Sequence, residues 1–237
     1  MHARRTLIGT ARRRGSAALA ALAVLALVAA ACGDAGEPAE VAPTAEVAQP
    51  AVTPPMTVGD TYYSMVIEEE RIAADIALTD HSGAPFRLSD YADGPVLITF
   101  GYTHCPDVCP LTLANWSRAA ERMGVAAEDY SYIFVTVDPQ RDTVEYLATY
   151  LESFDLPVVG LTGDSAAMAD VWSDYGVYVE QGEVDANGGY AMAHTSATWV
   201  IDPAGRVRLA FPHIFSDEKI AHDLTLLSEE GRSEGGT

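Results

Sequence analysis

Three observations predict a three-layer α/β domain. Short apolar runs of the buried-strand kind alternate with stretches of helical apolar periodicity. The chain then closes on a strand, a turn, a strand and a helix. The aromatic and β-branched residues run from about residue 66 to 230 with no second linker and no internal repeat, which is one domain's worth of chain.

Taken in order, residues 74–78 and 86–88 flank Asp80-His81-Ser82-Gly83 and predict an N-terminal β-hairpin extension. The run VLITF (96–100) reads as a buried strand leading straight into a cysteine loop. Beyond it Leu113, Trp116, Ala120 and Met123 recur at helical spacing. YIFVTV (132–137) is a second buried strand. Asp142-Thr143-Val144-Glu145 has the form of a capping box with Asp142 as the cap, opening a helix whose Val144, Leu147, Leu151 and Phe154 share a face. Residues 158–161 form a third strand, and Met168, Val171 and Tyr175 mark a third helix. Strands are expected around 177–179 and over 197–201, and Asp202-Pro203-Ala204-Gly205 turns the chain into a strand over 206–211. Ser216 caps a last helix carrying Ile220, Leu224 and Leu227, and residues 231–237 read as a disordered tail.

The N-terminus reads as a targeting segment. Five arginines precede an apolar run over 17–31, too short for the ~20 residues a bilayer span needs. That run ends at Ala29-Ala30-Ala31-Cys32-Gly33, a pattern that looks like a lipoprotein cleavage site with Cys32 lipidated. Residues 1–31 are thus expected to be signal and 32–65 a disordered tether, poor in aromatics and spanning about 25–30 Å as a flexible coil. The domain is then held at the extracytoplasmic face of the cell membrane.

Once the five early arginines leave with the signal, nine basic residues face 34 acidic ones. That balance argues against nucleic acid or an anionic lipid surface as a partner, and allows a basic protein or a metal cation.

GYTHCPDVCPLTL (101–113) holds two of the three cysteines. A disulfide closing so short a loop removes only ~2 kcal/mol of unfolded-state entropy, so Cys105 and Cys109 are expected to serve chemistry rather than stapling. At a strand-to-helix junction, unpaired backbone N–H groups and the helix dipole favour a thiolate near Cys109. Spacing of four lets both sulfurs face one side of a helical turn. Two soft ligands favour Cu(I), whereas zinc wants four ligands and the domain offers no further cysteine. Disulfide exchange stays open. The peroxidase pattern P-x-x-x-T-x-x-C fails, since Ile98 and Tyr102 stand where it needs proline and threonine.

FGYTHCPDVCPLTL (100–113) resembles the signature of the Sco/SenC family of thioredoxin-like copper proteins. VTVDPQRDT (135–143), VVGLTGD (158–164) and AHTSATWVIDPAGRV (193–207) follow in the family's order. The resemblance spans about residues 72–228. It implies a thioredoxin-like fold, a central mixed sheet flanked by helices. It also implies one copper ion per chain, Cu(I) or Cu(II), held by Cys105, Cys109 and His194. The role implied is assembly of the CuA site in subunit II of cytochrome c oxidase, with another copper chaperone as a further possible partner. The alternative is a thiol-disulfide reductase acting on the oxidase's own cysteines.

The family commonly has an acidic residue where Ala193 stands, which bears on the basicity and orientation of His194. His104 is expected to point away from the sulfurs, and His81, His213 and His222 to sit in turns or at helix ends. Met192 reads mainly as packing. Asp138 reads as turn or rim, and GEVDANGG (182–189) as either a mobile loop or an ordinary hairpin turn.

Overall fold

In a computed structural model the described residues are 61–234. Cys32, the expected signal over 1–31 and all but the last five residues of the expected tether lie outside them, as do 235–237.

The strands are β1 (Met65–Val66), β2 (Ala77–Asp80), β3 (Pro85–Arg87), β4 (Val96–Gly101), β5 (Ser131–Thr136), β6 (Val158–Thr162), β7 (Val179–Gln181), β8 (Met192–His194), β9 (Ala197–Ile201) and β10 (Val207–Pro212). The helices are α1 (Val108–Met123), α2 (Val144–Leu151), α3 (Ser165–Asp174) and α4 (Asp217–Glu234). Eight strands make one sheet in the order β1-β10-β9-β4-β5-β6-β2-β3. Within it β4, β5 and β6 are parallel, joined through α1 and α2, while the flanking strands run antiparallel. This is the mixed sheet flanked by helices that the thioredoxin-like reading requires.

β4 is buried at every residue, as its unbroken apolar run demands of a central parallel strand. Leu97, Ile98, Leu113, Trp116, Ile133 and Leu147 have no exposed surface. Each such side chain contributes about 1.5–3 kcal/mol of burial. α2 lies so close on β6 that a Cβ at Gly160 would stand 2.6 Å from a Leu151 methyl. α1 and α4 pack on one another, with Arg122 paired to Asp217 at 2.6 Å.

The structure adds details that the sequence did not place. The expected hairpin β2–β3 extends the main sheet: β2 pairs with β6, so the hairpin forms the sheet's edge. β1 pairs with β10, and the backbone N–H groups of Tyr63 and Ser64 both donate to the buried Asp223, at 2.9 and 2.7 Å. α4 continues to Glu234, four residues into the expected tail. The cap of α2 is Thr143, whose hydroxyl accepts from Tyr146 N–H; Asp142 is buried and used elsewhere.

Candidate metal centre

The site forms where the parallel strands end, the usual ligand-binding edge of such sheets. β4 runs out at Gly101, and the chain turns through residues 102–107 into α1, so Cys109 is already the second residue of the helix. Gly101 has a local reason to lack a side chain. A Cβ there would meet Cys109 Sγ at 2.9 Å and the Phe134 ring at 2.7 Å.

The two sulfurs are neighbours with opposite electrostatics. Cys109 N–H points at Cys105 Sγ, 3.4 Å away, so the sulfur occupies the place of a helix-capping acceptor. A hydrogen bond from the Cys109 thiol, helped by the backbone N–H groups of Asp107, Cys109 and Val108 against the opposing effect of burial, lowers Cys105 to about 5. Cys109 is pushed up by the same sulfur pairing and by burial. The thiolate expected near Cys109 is therefore Cys105, the half-buried member, and Cys109 is the buried thiol.

The loop before Cys105 is pinned from β5. The Asp142 carboxylate accepts from Thr103 N–H at 3.1 Å, from Thr103 Oγ1 at 2.6 Å and from Thr136 Oγ1 at 2.6 Å. A carboxylate with no exposed surface needs such donors, and here they tie the cysteine loop to the end of β5. Sequence reading saw Asp142 as a cap because a local pattern cannot show a contact 39 residues away.

His194 arrives from the other side. β7 and β8 form a separate two-stranded hairpin in which Val179 pairs with His194. Residues 182–191 close it as a hairpin turn: Asp185 accepts from Asn187 and Gly189 N–H, and Gly188 takes a φ of 85°. The hairpin is clamped to the main sheet. Arg141, ion-paired to the buried Asp138, lays its guanidinium on the Tyr190 ring at 3.6 Å and donates to the Tyr190 carbonyl at 3.0 Å. The Tyr190 hydroxyl donates to Asp138 at 2.9 Å. Asp138 thus holds the clamp, beyond its turn bonds to the N–H groups of Arg141 and Asp142.

His194 Nδ1 lies 3.0 Å from the Thr195 carbonyl, so Nδ1 carries the proton and Nε2 keeps its lone pair for a metal. The backbone carbonyl does the orienting for which Ala193 offers no carboxylate. The imidazole edge meets the Tyr102 ring at 5.9 Å and 87°.

Cys109 and His194 line one narrow cavity. Among the described residues no three His, Cys, Asp or Glu side chains already stand at metal-holding distance. The imidazole shares that space with Cys109, beside which Cys105 Sγ stands, and the three donors are not closed on one point. Their donor types, two sulfurs and a neutral imidazole nitrogen, fit copper.

The other histidines fall as follows. His104 stacks on Tyr146 and meets Thr103 Oγ1, away from the sulfurs. His81 accepts from Gly160 N–H, and His222 pairs with Asp223. His213, expected as a turn residue, also lines the cavity of Cys109 and His194. Met192 is partly buried against the core.

The SCO1/SenC family model matches residues 65–229. ScoI of Bradyrhizobium japonicum, solved with copper bound, is 39% identical with a TM-score of 0.60, covering 65% of this chain and 98% of that one. The mitochondrial SCO1 homolog of Mus musculus is 37% identical over 136 residues, 56% of this chain and 48% of that protein. A SCO2-like protein of Rickettsia conorii is 31% identical over 163 residues, 68% of this chain and 77% of that protein. The chain spans about half the length of the curated mitochondrial relatives it matches. Since the family model matches well over half of its length, the chain belongs to the SCO1/SenC family.

Proposed function

We propose that this chain is a copper carrier that binds one copper ion through Cys105, Cys109 and His194 and hands it to the CuA site of cytochrome c oxidase subunit II. The observation that carries this reading is the cavity that Cys109 shares with His194: the buried thiol, hydrogen-bonded to the Cys105 thiolate at a helix N-terminus, lines the same space as an imidazole whose Nδ1 is committed and whose Nε2 is free. The copper-bound ScoI relative supports the cargo, and the description of the Sco family as cytochrome c oxidase assembly proteins supports the recipient. Copper here is cargo, so an open site suits the task, because a ligand set closed on the ion would resist transfer. Only the reduced pair serves, since a sulfur in a disulfide cannot donate as a thiolate. Lipidation of Cys32 holds the domain at the extracytoplasmic membrane surface. Among the described residues no helix is long and apolar enough to cross a membrane.

One observation favours a second reading, reduction of the oxidase's cysteines. Cys105 is the accessible low-pKa sulfur and Cys109 a buried thiol beside it, the arrangement of an attacking and a resolving cysteine. The Cys105 thiolate would displace one sulfur of a substrate disulfide. Cys109, losing its proton, would then displace the second, leaving Cys105–Cys109 oxidised and two substrate thiols.

His194→Ala separates the two. The fold and most turnover of a small disulfide substrate should survive. Copper affinity should fall by on the order of ten- to hundredfold, in line with losses when metal shells are disturbed, and CuA assembly should fail in cells. Unchanged copper affinity with normal CuA assembly would move the assignment to the reductase.

A further inference from the structure

The metal cavity holds one imidazole more than the family motif supplies. His213 lines the same narrow space as Cys109 and His194, a cavity of about 10 Å³, room for roughly one water-sized particle. Its segment, which follows β10, is docked on both sides of that cavity. His213 N–H donates to the Ser196 carbonyl at 3.3 Å, two residues past His194. Phe215, two residues on, offers its carbonyl to Asn115 Nδ2 at 3.0 Å, and Asn115 belongs to the helix that carries Cys109. The His213 position is therefore tied to both elements that bring the other ligands.

The ring is also uncommitted. His81, His104, His194 and His222 each spend a ring nitrogen or a ring face on a neighbour. Among the described residues the His213 imidazole has no hydrogen bond, ion pair or ring contact. A buried-rim imidazole with both nitrogens available beside a thiol and a second imidazole is a ligand in waiting.

We propose that His213 is a second imidazole ligand, recruited when the copper in this site is Cu(II). The proposal rests on the copper reading above. Two sulfurs and one imidazole satisfy soft Cu(I). Cu(II) favours nitrogen more and prefers four donors in a tetragonal arrangement, so His213 completes a two-sulfur, two-nitrogen set. No hydrogen bond orients its ring, so it is a weaker and more exchangeable ligand than His194, whose Nδ1 is fixed. That difference lets the site keep an oxidised ion without closing permanently around it.

The test uses the full reduced chain loaded with one equivalent of Cu(II), with pulsed electron paramagnetic resonance counting the coordinated imidazoles. Wild type should show two. His213→Ala should show one and lose on the order of ten- to hundredfold in Cu(II) affinity, with Cu(I) affinity and the folded-state circular dichroism unchanged. His104→Ala, the control for a neighbouring imidazole, should still show two. Two imidazoles in His213→Ala, one in wild type, or loss of the second in His104→Ala instead would each overturn the assignment. A Cu(II) spectrum free of sulfur ligation, untouched by His194→Ala, would overturn the copper reading itself and is distinguishable from all of these.

Discussion

Cys105 and Cys109 are the same residue type four positions apart, yet their surroundings drive them in opposite directions. Cys105 takes a hydrogen bond from the Cys109 thiol and backbone N–H groups from the first turn of α1, lowering it from 9.0 to about 5. In the reduced protein the ultraviolet absorbance of a single thiolate should appear with a midpoint near pH 5, and alkylation at neutral pH should mark Cys105 first. Two thiolates appearing together near the ordinary thiol pKa would contradict this. The same shift has a sign in stability. The folded pKa lies below the unfolded one, so the contribution is complete above about pH 9, shrinks as pH falls, and is gone below about pH 5. Cys105→Ser and the oxidised pair should lack that slope. Both cysteines were legible in the sequence as a reactive pair. Which of them carries the charge was not, because it depends on where α1 begins relative to each sulfur.

The elements divide the site between a rigid half and a clamped half. α1 is fixed by Trp116 and Leu113 in the core, with the cysteine loop tied down by Asp142. The β7–β8 hairpin lies outside the main sheet and is held through Arg141, Asp138 and Tyr190. An aromatic–cation contact is worth about 0.5–2 kcal/mol and a charged hydrogen bond about 1.5–3. Arg141→Met should therefore speed hydrogen exchange at the amides of residues 179–194 by at least about tenfold, the equivalent of roughly 1.4 kcal/mol, while those of β4 and β5 change less. It also strands the buried Asp138. Tyr190→Phe, which removes one hydroxyl, should give a smaller effect confined to the hairpin. Uniform exchange rates across hairpin and sheet in both variants would exclude the clamp. The polar, glycine-rich run at 182–189 allowed either a loop or a turn. Asp185 gathers the N–H groups of Asn187 and Gly189 into a turn, a pattern clear only once the strands are paired.

At the scale of the whole molecule the chain combines a strongly acidic domain with an N-terminal apolar run and Cys32. If lipid is the anchor, Cys32→Ser should release the folded domain from membranes or leave the signal uncleaved. Mass spectrometry finding an unmodified N-terminus downstream of residue 32 would refute that. The sequence by itself determined the α/β alternation, the buried central strands, the reactive cysteine pair and, through four ordered motifs, the family. Those are properties of periodicity and of short contiguous patterns, which one-dimensional information carries. Only the tertiary structure decided that the N-terminal hairpin is the sheet's edge, that residues 63–66 dock on Asp223 and β10, and that Asp142 serves the cysteine loop instead of capping α2. It also decided that His213 shares a cavity with Cys109 and His194, although more than 100 residues separate it from Cys109. The contacts of Asp223 and Asp142 rest on groups far apart in the chain meeting where burial makes an unpaired polar atom costly, the hairpin edge and His213 rest on backbone pairing between distant segments, and no local pattern encodes those meetings.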